Sequence, residues 1–456
     1  MIFNCPRIVI SALKGGSGKT LVSVGLSSLF KEKGYRVAPF KKGPDFIDPG
    51  WLSFASGRKC FNLDQFLMKK TDILDSFIEN SSDADIAIIE GNRGLYDGVD
   101  REGRYSTAEL AKLLKSPVIL IVDVTMMTRT VSALVKGCQI FDRAVNISAV
   151  ILNRVAGQRQ EKIIRNTVEY YCGIPVIGSI PKLKENLLKE RHMGLVPYQE
   201  KERAEEVIYW AKSIIKETVD TDVLEEIAKS APPIERGLRR SEEKNLSNSL
   251  KIGFFLDNAF WFYYPENLEL LKKAGVQLIR INSLEDNSIP DVDALYIGGG
   301  FPETQADLLA RNISLKEDLK RKIEEGLPVY AECGGFMYLG KEIITDGKKY
   351  PMVGIFSVKF LLEKKPQGHG YTVLEVCREN PFFEKGEIIK GHEFHYSRPI
   401  LEGKEEFVFK VKRGKGIDGG KDGMIKRNVL ATYTHIHARG NKRWVNSIIK
   451  AAAKRC

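Results

Sequence analysis

Over the first 183 residues the apolar positions fall in short continuous runs. Arg7–Leu13, Arg36–Phe40, Ile86–Glu90, Val118–Val124, Ile147–Leu152 and Val176–Ile180 are rich in Ile and Val. This is the pattern of parallel strands covered on both faces. Between them, Leu21–Phe30, Thr71–Glu79 and Gln158–Tyr171 space their apolar residues as helices do. Strand and helix in alternation predict an α/β fold with a doubly wound, mainly parallel sheet. Residues 200–229 read as two further helices. Residues 231–250 carry Pro, Gly, Ser and charge without apolar period, as a linker does. A second α/β region opens at Lys251, with strands at Ile252–Leu256, Gln277–Ile281, Ala294–Ile297 and Pro328–Ala331 and helices at Tyr264–Ala274 and Leu315–Glu325. The expected division is 1–230, a linker 231–250, and 251–456.

Ligands of such sheets bind beyond the carboxyl ends of the strands, so the polar segments there are the place to look for chemistry. The first strand runs into Lys14-Gly15-Gly16-Ser17-Gly18-Lys19-Thr20 and then a helix. Glycines let successive N–H groups turn toward an anion, Lys19 can reach terminal phosphates, and Thr20 can offer a hydroxyl to Mg²⁺. Leu13 stands where the strict phosphate-loop pattern has its first glycine, and the extra Lys14 fits the variant K-G-G-x-G-K-[ST]. After the second strand comes Lys41-Lys42-Gly43-Pro44-Asp45-Phe46-Ile47-Asp48-Pro49-Gly50, read as an irregular loop. After the third comes Glu90-Gly91-Asn92-Arg93-Gly94-Leu95-Tyr96-Asp97-Gly98. Glu90 and Asp45 are placed to meet the metal, and Asp48 and Asp97 to orient a substrate carboxylate beside the γ-phosphate. Asp123, at the end of the fourth strand, serves the site or caps a helix.

In the second region the short strand at Pro328–Ala331 enters Glu332-Cys333-Gly334-Gly335. A cysteine at a strand-to-helix turn followed by glycine is the arrangement of a nucleophile elbow. Gly334 and the run Gly298–Gly300 are placed to supply oxyanion N–H groups, with Gly300 and Gly334 as the donors. The following helix is expected to lower the thiol pKa. Of six histidines, His395, His435 and His437 are candidate bases; His435 and His437 would share one face of a strand. The other six cysteines have no such surroundings.

Bulk composition narrows the class. Hydrophobic content of 43% and charged content of 28% are those of a globular chain, and no apolar run approaches a membrane span. The N-terminal apolar run leads directly into the phosphate loop and reads as a core strand, not a signal peptide. Seven scattered cysteines fit a reducing compartment, so the expectation is cytoplasmic. The net charge of +11 invites a nucleic-acid reading. Its cations are interleaved with acids throughout, and an anionic small substrate suits it equally. The expectation is therefore no nucleic acid and no membrane, with a homo-oligomer left open.

Together these segments resemble the cobyrinate a,c-diamide synthase family. The matching stretches are KKGPDFIDPGW, EGNRGLYDG, DVTMMTRT, Arg191-His192-Met193-Gly194-Leu195, DALYIGGGFPE, YAECGGFMYL and GHEFHYS. The resemblance implies an ATP-dependent amidoligase domain, similar to dethiobiotin synthetase, joined to a class I glutamine amidotransferase domain. It implies ATP, Mg²⁺, L-glutamine and a corrinoid or related tetrapyrrole polycarboxylate as cofactors and substrates. Gly15, Gly16, Ser17, Gly18, Lys19 and Thr20 would hold ATP, with Thr20, Asp45 and Glu90 on the metal. Asp48 and Asp97 fall in the amidation site, Cys333 looks like the glutaminase nucleophile and His435 like its base. Two departures stand out: most members have S-G-x-G-K-T as phosphate loop, and the acid two positions after the histidine in the common Cys-His-Glu triad is here His437. Other readings stay open at this stage: the same chemistry on nickel-sirohydrochlorin or siroheme, a ParA/MinD-like ATPase switch, or an inactive glutaminase domain kept as a scaffold.

Overall fold

The computed structural model describes residues 2–188, 190–191, 194–195, 204–235 and 250–454. His192, Met193, Cys456, residues 200–203 of the expected helices and 236–249 of the expected linker lie outside the described residues. The chain forms two compact units, 1–240 and 241–456.

The first unit is built on a seven-stranded, wholly parallel sheet. Its order is Phe61–Leu63, Val37–Lys42, Ile86–Glu90, Arg7–Ala12, Val118–Asp123, Ile147–Val155 and Val176–Pro181. The strand Arg7–Ala12 is buried along its whole length, as its unbroken apolar run requires. Ile8, Ile10 and Ala12 pack against Val22, Leu26, Leu29 and Phe30 of the helix Lys19–Glu32. The short edge strand Phe61–Leu63 was not legible, being only three residues long.

Two expectations are corrected here. Residues 41–50 are not loop throughout: Ile47–Ser56 is a helix. Pro49 does not prevent it, because a first-turn N–H has no intrahelical partner to lose. Residues 231–235 are not linker. Ile234–Glu235 pairs antiparallel with Ile2–Phe3, and Ala231 and Ile234 are buried. The buried Arg7 guanidinium fixes this corner by donating to the carbonyls of Cys5 (2.9 Å), Leu114 (2.8 Å), Lys115 (3.3 Å) and Pro232. These bonds satisfy a charged group that would otherwise be costly to bury.

The second unit has a ten-stranded mixed sheet. Five parallel strands come first, in the order Gln277–Ile281, Lys251–Phe255, Ala294–Ile297, Val329–Glu332 and Val429–Thr432. Lys421–Lys426, Glu406–Arg413, Gly368–Val376, Ile388–His395 and His435–Ile436 extend it antiparallel. Along Ala294–Ile297, Leu295 and Ile297 enter one core and Ala294 and Tyr296 the other. That explains why this strand reads as continuously apolar. No helix among the described residues is long and apolar enough to cross a membrane.

Candidate active site

In the first unit the strand Arg7–Ala12 delivers the glycine loop onto the helix that begins at Lys19. Gly16 (φ 68°) and Gly18 (φ 97°) take left-handed backbone, and a Cβ on Gly18 would fall 2.4 Å from Asn153 Nδ2. Beside this turn lies a cavity of about 410 Å³, walled by Gly15, Gly16, Gly18, Lys19 and Thr20 and by Lys41, Asp45, Asp48 and Glu90 across from them. The sheet register brings the two walls together: Ile10 pairs with Glu90, and Lys41 pairs with Glu90 on its other side.

Thr20, Glu90, Lys41 and Asp48 form one hydrogen-bonded chain in this cavity. Thr20 Oγ1 donates to Glu90 Oε1 at 2.9 Å. Lys41 Nζ donates to the same oxygen at 2.7 Å and to Asp48 Oδ2 at 2.5 Å. Lys19 Nζ donates to the carbonyls of Arg93 (2.8 Å) and Lys14 (3.3 Å). Glu90 Oε2 is buried with no hydrogen-bond partner. Burial pulls the Lys41 ammonium down, but Asp48, Glu90 and Asp45 outweigh it and hold it charged. Burial pushes the Glu90 carboxyl up. Burial and then the neighbouring Lys41 lower Lys19. Asp45 Oδ1 accepts from the N–H groups of Ile47 (2.6 Å) and Asp48 (3.0 Å), so it also starts the helix that carries Asp48.

Three more residues around the loop bond to its framework. Ser17 is buried and off the cavity wall; its carbonyl accepts from Asn153 Nδ2 at 2.8 Å. Asp97 Oδ2 accepts from Gly94 N–H at 2.8 Å, closing the turn after Glu90, and its charge acts on Lys19. Asp123 caps no helix. Its Oδ1 accepts from the Thr125 N–H and hydroxyl, and its Oδ2 meets Arg154 (2.6 Å) and Lys14 (3.5 Å). Arg154 also donates to Gly16 O at 3.0 Å. Lys14 therefore belongs to a brace that ties the glycine loop to the neighbouring strand ends.

In the second unit Val329–Glu332 and Val429–Thr432 run side by side with Glu332 opposite Thr432. Cys333 leaves the strand with φ 46° and ψ −99°, a backbone conformation that strains any residue with a Cβ. Its N–H donates to Thr432 O at 2.7 Å. The glycine run packs directly on this elbow: Gly335 N–H donates to Gly298 O (3.1 Å), and a Cβ on Gly334 would sit 3.0 Å from Gly300 N. A Cβ on Gly299 would fall 2.4 Å from Cε1 of His435. Elbow, glycine run and imidazole thus share one small buried volume. Contrary to expectation, the following helix does not lower the thiol. It is six residues long, and burial, reinforced by Glu303, pushes the Cys333 thiol up.

Of the three candidate bases, His435 borders the glycine run. Its strand is only His435–Ile436, so it does not share a strand face with His437. His437 Nε2 lies instead 2.9 Å from Glu266 Oε2, and Arg439 Nε lies 2.5 Å from Glu266 Oε1. His395 donates from Nδ1 to Ser397 O (2.9 Å) and stacks on Tyr433 at 3.6 Å. Burial, and then His395, bring His435 down to about 3, so its ring is neutral. His435 Nδ1 is 3.3 Å from Glu332 Oε2.

Residues 8–196 match the CobQ/CobB/MinD/ParA nucleotide binding domain, and residues 251–443 match the CobB/CobQ-like glutamine amidotransferase domain. The cobyrinate a,c-diamide synthase of Archaeoglobus fulgidus is 42% identical over 453 residues, 99% of this chain and 98% of that one. The proteins of that name from Magnetococcus marinus and Caldanaerobacter subterraneus are 41% and 39% identical, covering 97% and 95% of this chain and 96% and 95% of theirs. The chain belongs to the cobyrinate a,c-diamide synthase family. Its first unit is a nucleotide-binding domain and its second a glutamine amidotransferase domain.

For a member of this family the sequence left several neighbours of the sites unassigned. Lys41 was visible only as one of two lysines in a loop; the signal was its place at the end of an apolar strand, which buries it. Asn153 and Arg154 likewise end the strand Ile147–Val155 and hold the glycine loop. Glu332, directly before Cys333, is buried in the strand Val329–Glu332. A carboxylate at the end of an apolar strand was the available sign there too.

Proposed function

We propose that this protein converts the a and c acetate carboxylates of cobyrinate, or of hydrogenobyrinate, to amides in cobalamin biosynthesis, using ATP and the amide nitrogen of glutamine. The observation that carries the reading is the pairing in one chain of a carboxylate-walled phosphate-loop cavity with a strained, buried cysteine elbow, packed on a glycine run that borders a neutral histidine. The first can activate a carboxylate and the second can supply ammonia. A ParA/MinD-like switch has no use for the second unit, and the geometry around Cys333 speaks against an inactive scaffold.

In the second unit Cys333 Sγ attacks the glutamine side-chain carbonyl while His435 takes the thiol proton. The N–H groups of Gly334 and Gly300 face the developing oxyanion. The imidazolium returns the proton to the leaving nitrogen, ammonia departs, and water cleaves the thioester to glutamate and thiol. In the first unit Gly15–Thr20 receives the triphosphate, with Lys19 set against its terminal phosphates. A substrate carboxylate oxygen attacks the γ-phosphorus and ADP leaves. Ammonia then displaces phosphate from the acyl phosphate. Carboxylates need this activation because oxide is a poor leaving group. Asp48, tied to Lys41, orients the incoming carboxylate, and Asp97 shapes the turn after Glu90 and adds its charge beside Lys19.

Thr20, Asp45 and Glu90 bring only oxygen donors to the cavity, which suits Mg²⁺. Glu90 Oε2, buried without a hydrogen-bond partner, leaves a carboxylate oxygen for such an ion. Among the described residues no group of three His, Cys, Asp or Glu side chains can hold a metal, and Mg²⁺ asks for none, since it keeps waters and takes phosphate oxygens. When bound it neutralises charge on the β- and γ-phosphates. The reading places the protein in the cytoplasm. Its test is a substrate panel of cobyrinate, hydrogenobyrinate, nickel-sirohydrochlorin and siroheme with ATP, Mg²⁺ and glutamine, read by mass spectrometry. A diamide from the first two supports it; amidation of only the latter two assigns the enzyme to another tetrapyrrole.

A further inference from the structure

We infer that Glu332, the residue directly before the nucleophile, is the carboxylate that orients His435, in place of an acid two positions after the histidine. The inference rests on the reading of Cys333 and His435 as a glutaminase pair. Three observations carry it.

First, the position two residues after His435 is taken for another purpose. His437 Nε2 lies 2.9 Å from Glu266, which also meets Arg439. All of this is buried or nearly so, and it ties the segment after His435 to the start of the helix Pro265–Lys273.

Second, Glu332 is directed at His435 by the sheet itself. Glu332 pairs with Thr432 in the parallel ladder, so the turn after Thr432 returns His435 across the end of the neighbouring strand. Glu332 Oε2 then lies 3.3 Å from His435 Nδ1, and Oε1 accepts the Ile436 N–H at 3.3 Å. One carboxylate thus holds both the imidazole and the backbone next to it. The same strand ends one residue later in Cys333. A single rigid element therefore fixes nucleophile and orienting acid together.

Third, every neighbour of this carboxylate is a donor. Tyr296 OH donates to Oε2 at 3.2 Å, and the Ile436 amide can only donate. A carboxylate so surrounded calls for the proton on Nδ1 of His435, which leaves Nε2 unprotonated. The Nε2 side of the ring is the side toward Gly299: a Cβ there would meet Cε1 at 2.4 Å and Nε2 at 3.2 Å. Gly299 in turn packs on the elbow, 3.4 Å from where a Cβ on Gly334 would sit. The carboxylate thereby selects the tautomer able to accept the Cys333 proton. Glu332 is a positioning residue: it acts through His435 and touches neither sulfur nor substrate.

The test compares Glu332→Gln, Glu332→Asp and Cys333→Ala in the full chain. Glutamine would turn an N–H toward His435 Nδ1 and drive the ring proton to Nε2, the wrong tautomer for a base. Glu332→Gln should lower kcat for glutamine hydrolysis by at least ~10²-fold while KM for glutamine changes by less than about threefold. Glu332→Asp should recover part of kcat. Ammonia-dependent synthesis should be unchanged in both. ¹⁵N-histidine spectra of the folded protein, recorded above pH 8 where Glu332 is ionised, give a readout independent of turnover: His435 should carry its proton on Nδ1 in the natural protein and on Nε2 in Glu332→Gln. Wild-type kcat in Glu332→Gln, or an unchanged His435 tautomer, overturns the inference while leaving the glutaminase reading intact. Glutamine hydrolysis that survives Cys333→Ala overturns the glutaminase reading itself.

Discussion

The phosphate-loop cavity and the pocket around Cys333 both bury ionisable groups, and burial favours the neutral forms in each; the cavity differs in setting an ammonium against carboxylates. In the cavity a fully buried ammonium, Lys41, is held charged between two carboxylates. Around Cys333 the thiol and His435 have no buried cation between them, and burial drives both toward their neutral forms. The difference follows from the tasks. A site for a polyanion and a metal gains from charges fixed in advance, which cost no reorganisation when the substrate arrives. A glutaminase that held a standing thiolate would be open to alkylation and oxidation. On the proposed mechanism, a neutral thiol beside a neutral base would form its ion pair only once glutamine is bound.

Breaking the charged side of this comparison should have the largest effect. Lys19→Ala should reduce both glutamine- and ammonia-dependent synthesis by ~10²–10³-fold and leave glutamine hydrolysis in place, measured by product and glutamate assays on the same preparation. Loss of glutamine hydrolysis as well would mean that the sites are not separable.

Lys41→Met should follow. Removing the ammonium leaves Asp48 and Glu90 facing each other unpaired, and the first unit should lose about 3 kcal/mol in denaturant unfolding. A change within 0.5 kcal/mol, about that of a surface substitution, would show that solvent reaches these carboxylates.

Gly299→Ala probes the neutral side by crowding alone. The new Cβ meets His435 at 2.4 Å, so the ring must shift away from the elbow. Glutamine hydrolysis should fall roughly tenfold, with ammonia-dependent synthesis untouched.

A further prediction is a pH dependence of stability. Burial pushes the Glu332 carboxyl up to about 8, from an ordinary value of 4.5. The groups facing it are the Tyr296 and Tyr330 phenols, the His435 ring and the Ile436 amide. A raised acid binds its proton more tightly folded than unfolded, so its contribution to stability declines as pH rises from about 4.5 to about 8. Glu332→Gln removes that decline. The melting temperature of the variant relative to the natural protein should therefore climb across this window; a flat difference would mean that Glu332 stays ionised throughout.

The two sites were not equally legible in the sequence. The cavity is local: each of its parts directly follows a strand whose apolar run is visible, so Lys19, Thr20, Asp48 and Glu90 could be placed at one sheet edge before any coordinates. What escaped there was helical. Ile47–Ser56 hid behind Pro49 and Gly50, residues that usually break helices and are tolerated here because they lie in the first turn. The thiol site is assembled from three distant segments at 298–300, 332–335 and 435–437. Cys333 was legible from its own turn, and His435 only as one of three candidates. Which histidine borders the glycine run depends on a two-residue strand and on Glu266, a contact between residues far apart in the chain. The thiol's ionisation was misread because proximity to a helix start was weighed without the burial that overrides it.

The central claim is that nitrogen released at Cys333 ends on a carboxylate activated beside Lys19. It is tested most directly by incubating the enzyme with cobyrinate, ATP, Mg²⁺, glutamine labelled with ¹⁵N in its side-chain amide, and unlabelled ammonium. The account predicts a diamide carrying ¹⁵N from the natural protein and an unlabelled diamide, formed from ammonium, from Cys333→Ala. A labelled product from Cys333→Ala, or no diamide from either protein, would contradict it.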